Sequence, residues 1–213
     1  MHVTKIVKKG KKDVIIHFDS DEKLFLTVDV FLKSGLKKNE VISDDRFSFL
    51  VKENRLFHIK QRAFRYLGRR LHSTSELRTK LLQKGYEKNL IDEVIDELKI
   101  RNYLDDAEFA KMFVEEKVKL KLWGEKKLKN ELIKRGIKSE IISEVLNSHI
   151  SQDNTFNNAM TIAAKKYETL KNRNLEPDAI KRKLVTFLSS RGYNYDDIKI
   201  VCEKLISEND SYD

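Results

Sequence analysis

The chain has 213 residues, 40% hydrophobic and 36% charged, with a formal net charge of +9, one proline and seven glycines. That balance describes a helix-rich soluble protein with few long linkers, and no apolar run approaches the roughly 18 residues a membrane span needs. The single cysteine, Cys202, excludes an internal disulfide and cannot build a zinc site alone.

The first 58 residues open on Met1-His2-Val3-Thr4-Lys5, which lacks the apolar core of a secretory leader; a cytoplasmic protein is expected. Val3–Val7, Val14–Phe18 and Leu24–Val28 are short β-branched and aromatic runs. Lys9-Gly10-Lys11-Lys12 and Asp19-Ser20-Asp21 separate them as turns, so a small antiparallel meander is predicted. A short helix is expected over Val30–Leu36. Ser43-Asp44-Asp45 then caps a helix with Phe47, Leu50 and Val51 facing inward. A sheet this small needs a helix over one face.

From residue 59 a pattern recurs three times. Its glycines are Gly85, Gly136 and Gly192. Eight residues before each stands Leu77, Leu128 or Leu184, and four before stands Leu81, Leu132 or Leu188. A base comes immediately before: Lys84, Arg135 or Arg191. Ile91, Ile142 and Ile198 follow at six, and Val94/Ile95, Val145/Leu146 and Val201/Cys202 at nine and ten. Leucines four apart share one helix face, and a base followed by glycine is a helix stop. The apolar set after the glycine makes a second helix.

An earlier helix precedes each leucine helix. It carries Ala63, Phe64, Leu67 and Leu71 in the first case, Phe109, Ala110, Phe113 and Val114 in the second, and Ile162, Ala163, Tyr167 and Leu170 in the third. Ser73-x-x-Glu76 is a capping box, Asp105-x-x-Glu108 a near-equivalent, and Pro177 suits a first helical turn. The predicted fold is mostly α: three tandem three-helix repeats in an elongated curved body, with a small N-terminal β-containing extension. The expected divisions are 1–58, 59–104, 105–150 and 151–213. Cys202, in register with Ile95 and Leu146, is expected in the core.

Charge follows the same pattern. Residues 60–84 hold eight bases against one acid, and residues 117–138 nine bases against two. Residues 87–98 hold one base against five acids, whereas residues 151–213 balance at ten against ten. Stacked repeats would align these helices into a basic stripe and an acidic one, and a basic stripe suits a polyanion.

No Gly-rich phosphate loop of the G-x-x-x-x-G-K-S/T kind occurs, and the five histidines form no metal-binding pair. Asp105/Asp106 suits a helix cap better than an acid–base pair. Neither an enzyme nor a cofactor is expected. Tyr66, Tyr86, Tyr103, Trp123 and Tyr193 offer rings for base stacking, but Tyr86 and Tyr193 follow the repeat glycines, where a helix-stop contact suits them. Trp123 suits either helix-start packing or an exposed partner anchor.

Ala63-Phe-Arg-Tyr-Leu-Gly-Arg-Arg70, Ser73-x-x-Glu76-Leu77-x-x-Lys80-Leu81-x-x-Lys84-Gly85, Leu104-Asp105-Asp106-x-x-Phe109-Ala110 and Gly124-x-x-Lys127-Leu128-x-x-Glu131-Leu132-x-x-Arg135-Gly136, in that order, resemble the RecX family of recombination regulators. The resemblance covers roughly residues 60–207 and is looser in the third repeat. It includes the arginine pair Arg69-Arg70 and departs at Leu71-His72-Ser73, where many members carry a proline or another arginine.

The resemblance implies a cytoplasmic bacterial protein of DNA repair, recombination and the SOS response. It would bind the RecA recombinase filament on single-stranded DNA as a monomer and modulate, mainly inhibit, ATP hydrolysis and strand exchange. The residues expected to meet recombinase or the backbone of single- or double-stranded DNA are Arg65, Arg69, Arg70, Arg78, Lys80, Lys126, Lys127, Lys129, Lys134 and Arg135. The alternatives are a nucleic-acid-binding helical module acting without recombinase and a structural adaptor.

Overall fold

A computed structural model describes residues 1–173 and 175–210. Strands β1 (Val3–Lys9), β2 (Asp13–Phe18) and β3 (Lys23–Thr27) form an antiparallel sheet in the order β1-β2-β3. Ten helices follow among the described residues: α1 (Val28–Ser34), α2 (Asp44–Leu67), α3 (Thr74–Leu82), α4 (Lys88–Ile100), α5 (Asp106–Lys121), α6 (Glu125–Lys134), α7 (Ser139–His149), α8 (Gln152–Lys171), α9 (Pro177–Arg191) and α10 (Tyr195–Asp210). The protein is therefore mostly α, with a small N-terminal sheet, as its sequence predicts. It divides into two compact units, residues 1–72 with 77–103, and residues 73–76 with 104–213.

In the first unit the strand alternation sets the core. Val14 pairs with Leu26 and Ile16 with Leu24, and all four side chains are buried. The third strand ends one residue earlier than expected. Thr27 caps α1 by accepting from Val30 N, so Val28 joins the helix, and Gly35 stops it at a φ of 67°. Ser43 Oγ accepts from Arg46 N and opens α2. α2 is one helix of 24 residues, about 36 Å long. Leu50 packs into the core beside the sheet, and Leu56, Ile59 and Ala63 are buried further along. The division expected at 58/59 falls inside this helix. Asn54 ties helix to sheet, accepting from Thr27 N at 2.8 Å and donating to Phe25 O at 3.0 Å.

The expected apolar set Ala63, Phe64, Leu67 and Leu71 is only partly inward. α2 stops at Leu67, and Leu71 lies beyond Gly68 in the loop, 48% exposed. Phe64 is 42% exposed and meets Tyr103 edge-on at 5.1 Å. Leu77 and Leu81 of α3 are fully buried, as are Ile91, Val94 and Ile95 of α4.

The second unit contains two helix triplets. Phe109, Ala110, Phe113 and Val114 of α5 pack with Leu128 and Leu132 of α6 and with Ile142, Val145 and Leu146 of α7. Ala159, Ala163, Tyr167 and Leu170 of α8 pack with Leu184 and Leu188 of α9 and with Ile198, Val201 and Cys202 of α10. Cys202 is a core residue, with no exposed surface. Cutting Leu128 or Leu184 to alanine removes a fully buried side chain, at a cost of about 2–5 kcal/mol.

Candidate partner-binding faces

The repeat glycines show which polar groups the scaffold consumes. Gly85, Gly136 and Gly192 all sit at positive φ, 79°, 72° and 90°. At Gly85 an added Cβ would meet nothing within 4 Å. At Gly136 it would overlap Ser75, and at Gly192 it would overlap the backbone nitrogen of Lys127. Two of the three glycines are thus both helix stops and landing sites for the start of another leucine helix.

The contact recurs in equivalent positions. Ser73 precedes Leu77 by four residues, as Gly124 precedes Leu128. Ser73 Oγ donates to Arg135 O at 2.6 Å, and Gly124 N donates to Arg191 O at 2.9 Å. Each time the carbonyl of the base before the glycine, left over at a helix C-terminus, gains a donor. Lys126 N donates to Gly192 O, Arg191 donates to Lys121 O at 3.3 Å, and the Tyr193 hydroxyl donates to Leu122 O at 2.7 Å. Burial pushes the Tyr193 hydroxyl up to about 12.

Several of the ten expected contact residues belong to this scaffold. Arg135 donates to Glu131 O and Glu131 Oε2, both at 2.7 Å, lies 3.6 Å from Glu76 Oε1, and covers the Phe113 ring at 4.5 Å. The hydrogen bonds from Arg135, and then Lys134, hold the Glu131 carboxyl below its ordinary value. Lys134 pairs with Glu131 at 2.9 Å. Lys127 donates to Ser190 O at 3.0 Å and lies over the Trp123 ring, which itself packs on Phe113. Trp123 is half-buried against the core of its triplet, in the helix-start role its position suggests.

In the first unit three acids of α4 and the residue that precedes it are paired with bases. Glu93 pairs with Lys52, Glu97 with Lys60 and Glu87, the N-cap of α4, with Arg55, all three bases on α2, while Asp92 pairs with Arg78 on α3 at 2.8 Å. Such exposed pairs stabilise little, but they neutralise charge that helix composition alone assigns to opposite faces. Arg78 is thereby committed. Lys80 lies over the Tyr66 ring at 5.4 Å, and Arg70 donates to Leu71 O at 2.7 Å.

Arg65 and Arg69 are exposed at the end of α2, where the helix dipole favours cations. Arg65 makes only a long bond to Gln61 O in its own helix, and Arg69 has no side-chain partner among the described residues. In the second unit Lys126 and Lys129 are exposed on α6 and likewise lack ion pairs among the described residues. No group of three His, Cys, Asp or Glu suited to a metal occurs among the described residues, and no described helix is long and apolar enough to cross a membrane.

Successive helix triplets whose polar edges carry cations define a helical-repeat protein. Known proteins place it more closely. Residues 60–98, 105–146 and 152–202 match the models of the RecX first, second and third three-helix domains. A regulatory protein RecX of Clostridium botulinum (strain Alaska E43 / Type E3) is 31% identical over 95% of this chain and 94% of the relative. That of Clostridium acetobutylicum is 30% identical over 97% of both chains, and that of Clostridioides difficile (strain 630) is 30% identical over 99% and 98%. A crystal structure of regulatory protein RecX shares the fold at a TM-score of 0.75, with 17% identity over 95% of this chain and 98% of the other. That of RecX from Lactobacillus salivarius does so at 0.63, with 22% identity over 72% and 97%. The chain belongs to the RecX family of regulatory proteins.

Proposed function

We propose that this chain regulates the RecA recombinase in the bacterial cytoplasm, binding its filament on single-stranded DNA and lowering ATP hydrolysis and strand exchange without chemistry of its own. Family membership supports the partner. The observation that carries the mode of binding is a set of exposed cations without ion pairs among the described residues: Arg65 on α2 and Arg69 just past its end, Lys126 and Lys129 on α6. A repeat protein touching successive protomers gains avidity from weak contacts. Preference for an inactive filament arrangement would then shift the population toward it.

Arg78, Lys127, Lys134 and Arg135 drop to a supporting role in this reading, because each already has a partner within its own unit. Charge reversal tests the assignment. Arg65→Glu/Arg69→Glu and Lys126→Glu/Lys129→Glu should each reduce co-sedimentation with recombinase filaments. Undiminished co-sedimentation by both folded variants places the contact elsewhere.

A further inference from the structure

Residues 151–213 are electrically balanced, ten bases against ten acids, so their sequence does not read as basic. The fold segregates those charges. α8 and α9 enclose an open groove of about 600 Å³, and its cations are Lys166 and Arg173 on one wall and Arg182 and Lys183 on the other. Lys166 lies on α8 and Arg173 in the turn just beyond its last residue, Lys171. Arg182 stands four before Thr186 and Lys183 four before Phe187, all four lining the groove. The floor is apolar, from Leu170, Ala179 and Phe187, and no Asp or Glu lines the groove.

These cations have no ion pair among the described residues. The Lys166 ammonium lies 5.7 Å from the Phe187 ring centre, with the Arg191 guanidinium 5.2 Å from the same ring. A ring quadrupole orients a cation but does not cancel its charge. Four positive charges converging on one cleft focus field on it and repel one another, and an anion spanning both walls relieves that repulsion.

The walls decide which anion fits. Both are helices whose backbone donors are spent within the helix, so the groove lacks the open strand edge by which many extended peptides are held. A phosphodiester chain needs no such edge. It asks for point charges and for planar guanidinium forks that grip phosphate oxygens in pairs, and Arg173 and Arg182 supply two.

We propose that the α8–α9 groove is a nucleic-acid site, gripping the phosphodiester backbone through Lys166, Arg173, Arg182 and Lys183 without regard to base sequence. None of these four cations is among those assigned above to recombinase, and binding here does not require recombinase.

The test is fluorescence anisotropy of the full chain with a labelled oligothymidine and a labelled mixed-sequence duplex of equal length, across a salt series. Arg182 and Lys183 are exposed, so exchanging them spares the core. Arg182→Glu/Lys183→Glu should lower affinity by about tenfold or more, and should flatten the salt slope on the single strand by about 1.4, two contacts at roughly 0.7 each. Arg182→Gln/Lys183→Gln should lie between it and the parent. Loss on one probe only identifies the form of nucleic acid bound. Parental affinity and slope in both variants overturns the proposal, as does failure of the parent to bind either probe. Binding of poly-glutamate, but of neither oligonucleotide, assigns the groove to an acidic polypeptide and overturns it equally.

Discussion

Ser73 Oγ donates to Arg135 O at 2.6 Å and accepts from Glu76 N at 3.1 Å. One hydroxyl thus caps the start of α3 and satisfies the end of α6, 62 residues away. Ser73→Ala removes both bonds and leaves the Arg135 carbonyl short of a donor. A loss of about 1–2 kcal/mol is expected, read as a lower midpoint in denaturant with an unchanged slope. Ser73→Thr keeps the hydroxyl and should recover most of it.

The three repeat glycines should respond unequally to alanine. All three carry the strain of a positive φ, about 1–2 kcal/mol each. Gly85→Ala should cost only that. Gly136→Ala adds an overlap with the Ser75 side chain, and Gly192→Ala an overlap with the Lys127 backbone, which has less room to shift. Chemical denaturation should rank them Gly85 mildest, Gly136 next and Gly192 most severe.

Glu131 gives the protein an acid-side dependence. Its folded carboxyl titrates below its ordinary value of 4.5, so the unfolded chain binds the proton first as the medium is acidified. The stability it contributes is complete above about pH 4.5 and is lost as the pH falls through the depressed folded value. Glu131→Gln should flatten that part of the stability–pH curve. At the alkaline end Tyr193 works in the opposite sense. Its folded hydroxyl titrates near 12 against an ordinary 10.0, so its contribution is complete below pH 10 and disappears as the pH rises through 12. A tyrosinate absorbance titration should show a late component that Tyr193→Phe removes.

Cys202 is fully buried, and desolvation pushes its thiol above the ordinary value. Native protein should resist a thiol reagent that labels the unfolded chain at once. Rapid native labelling would mean that α10 opens readily.

The helix triplets were legible because their signals are local. Leu128 and Leu132 declare a face by being four apart, and Gly136 declares a stop. Cys202 declared its place by register with Ile95 and Leu146. The contact residues were harder to read, because a basic side chain looks the same in sequence whether it meets solvent or a carboxylate. Arg135 meets Glu131 one turn back, a pairing the sequence permits, but also Glu76 and the Ser73 hydroxyl, which only the fold brings near. Arg78 and Lys60 looked like part of a stripe until α4 supplied their acids. Leu71 looked inward because helical periodicity was carried past Gly68, where α2 has already ended. The α8–α9 groove was hidden because its cations come from two helices in a neutral stretch.

The most direct test of the regulatory account is ATP hydrolysis by the cognate RecA on single-stranded DNA, with this protein titrated in below stoichiometry. Suppression at well under one regulator per recombinase is the expected result, since one bound copy would act on several protomers. Unchanged hydrolysis at equimolar protein contradicts the account.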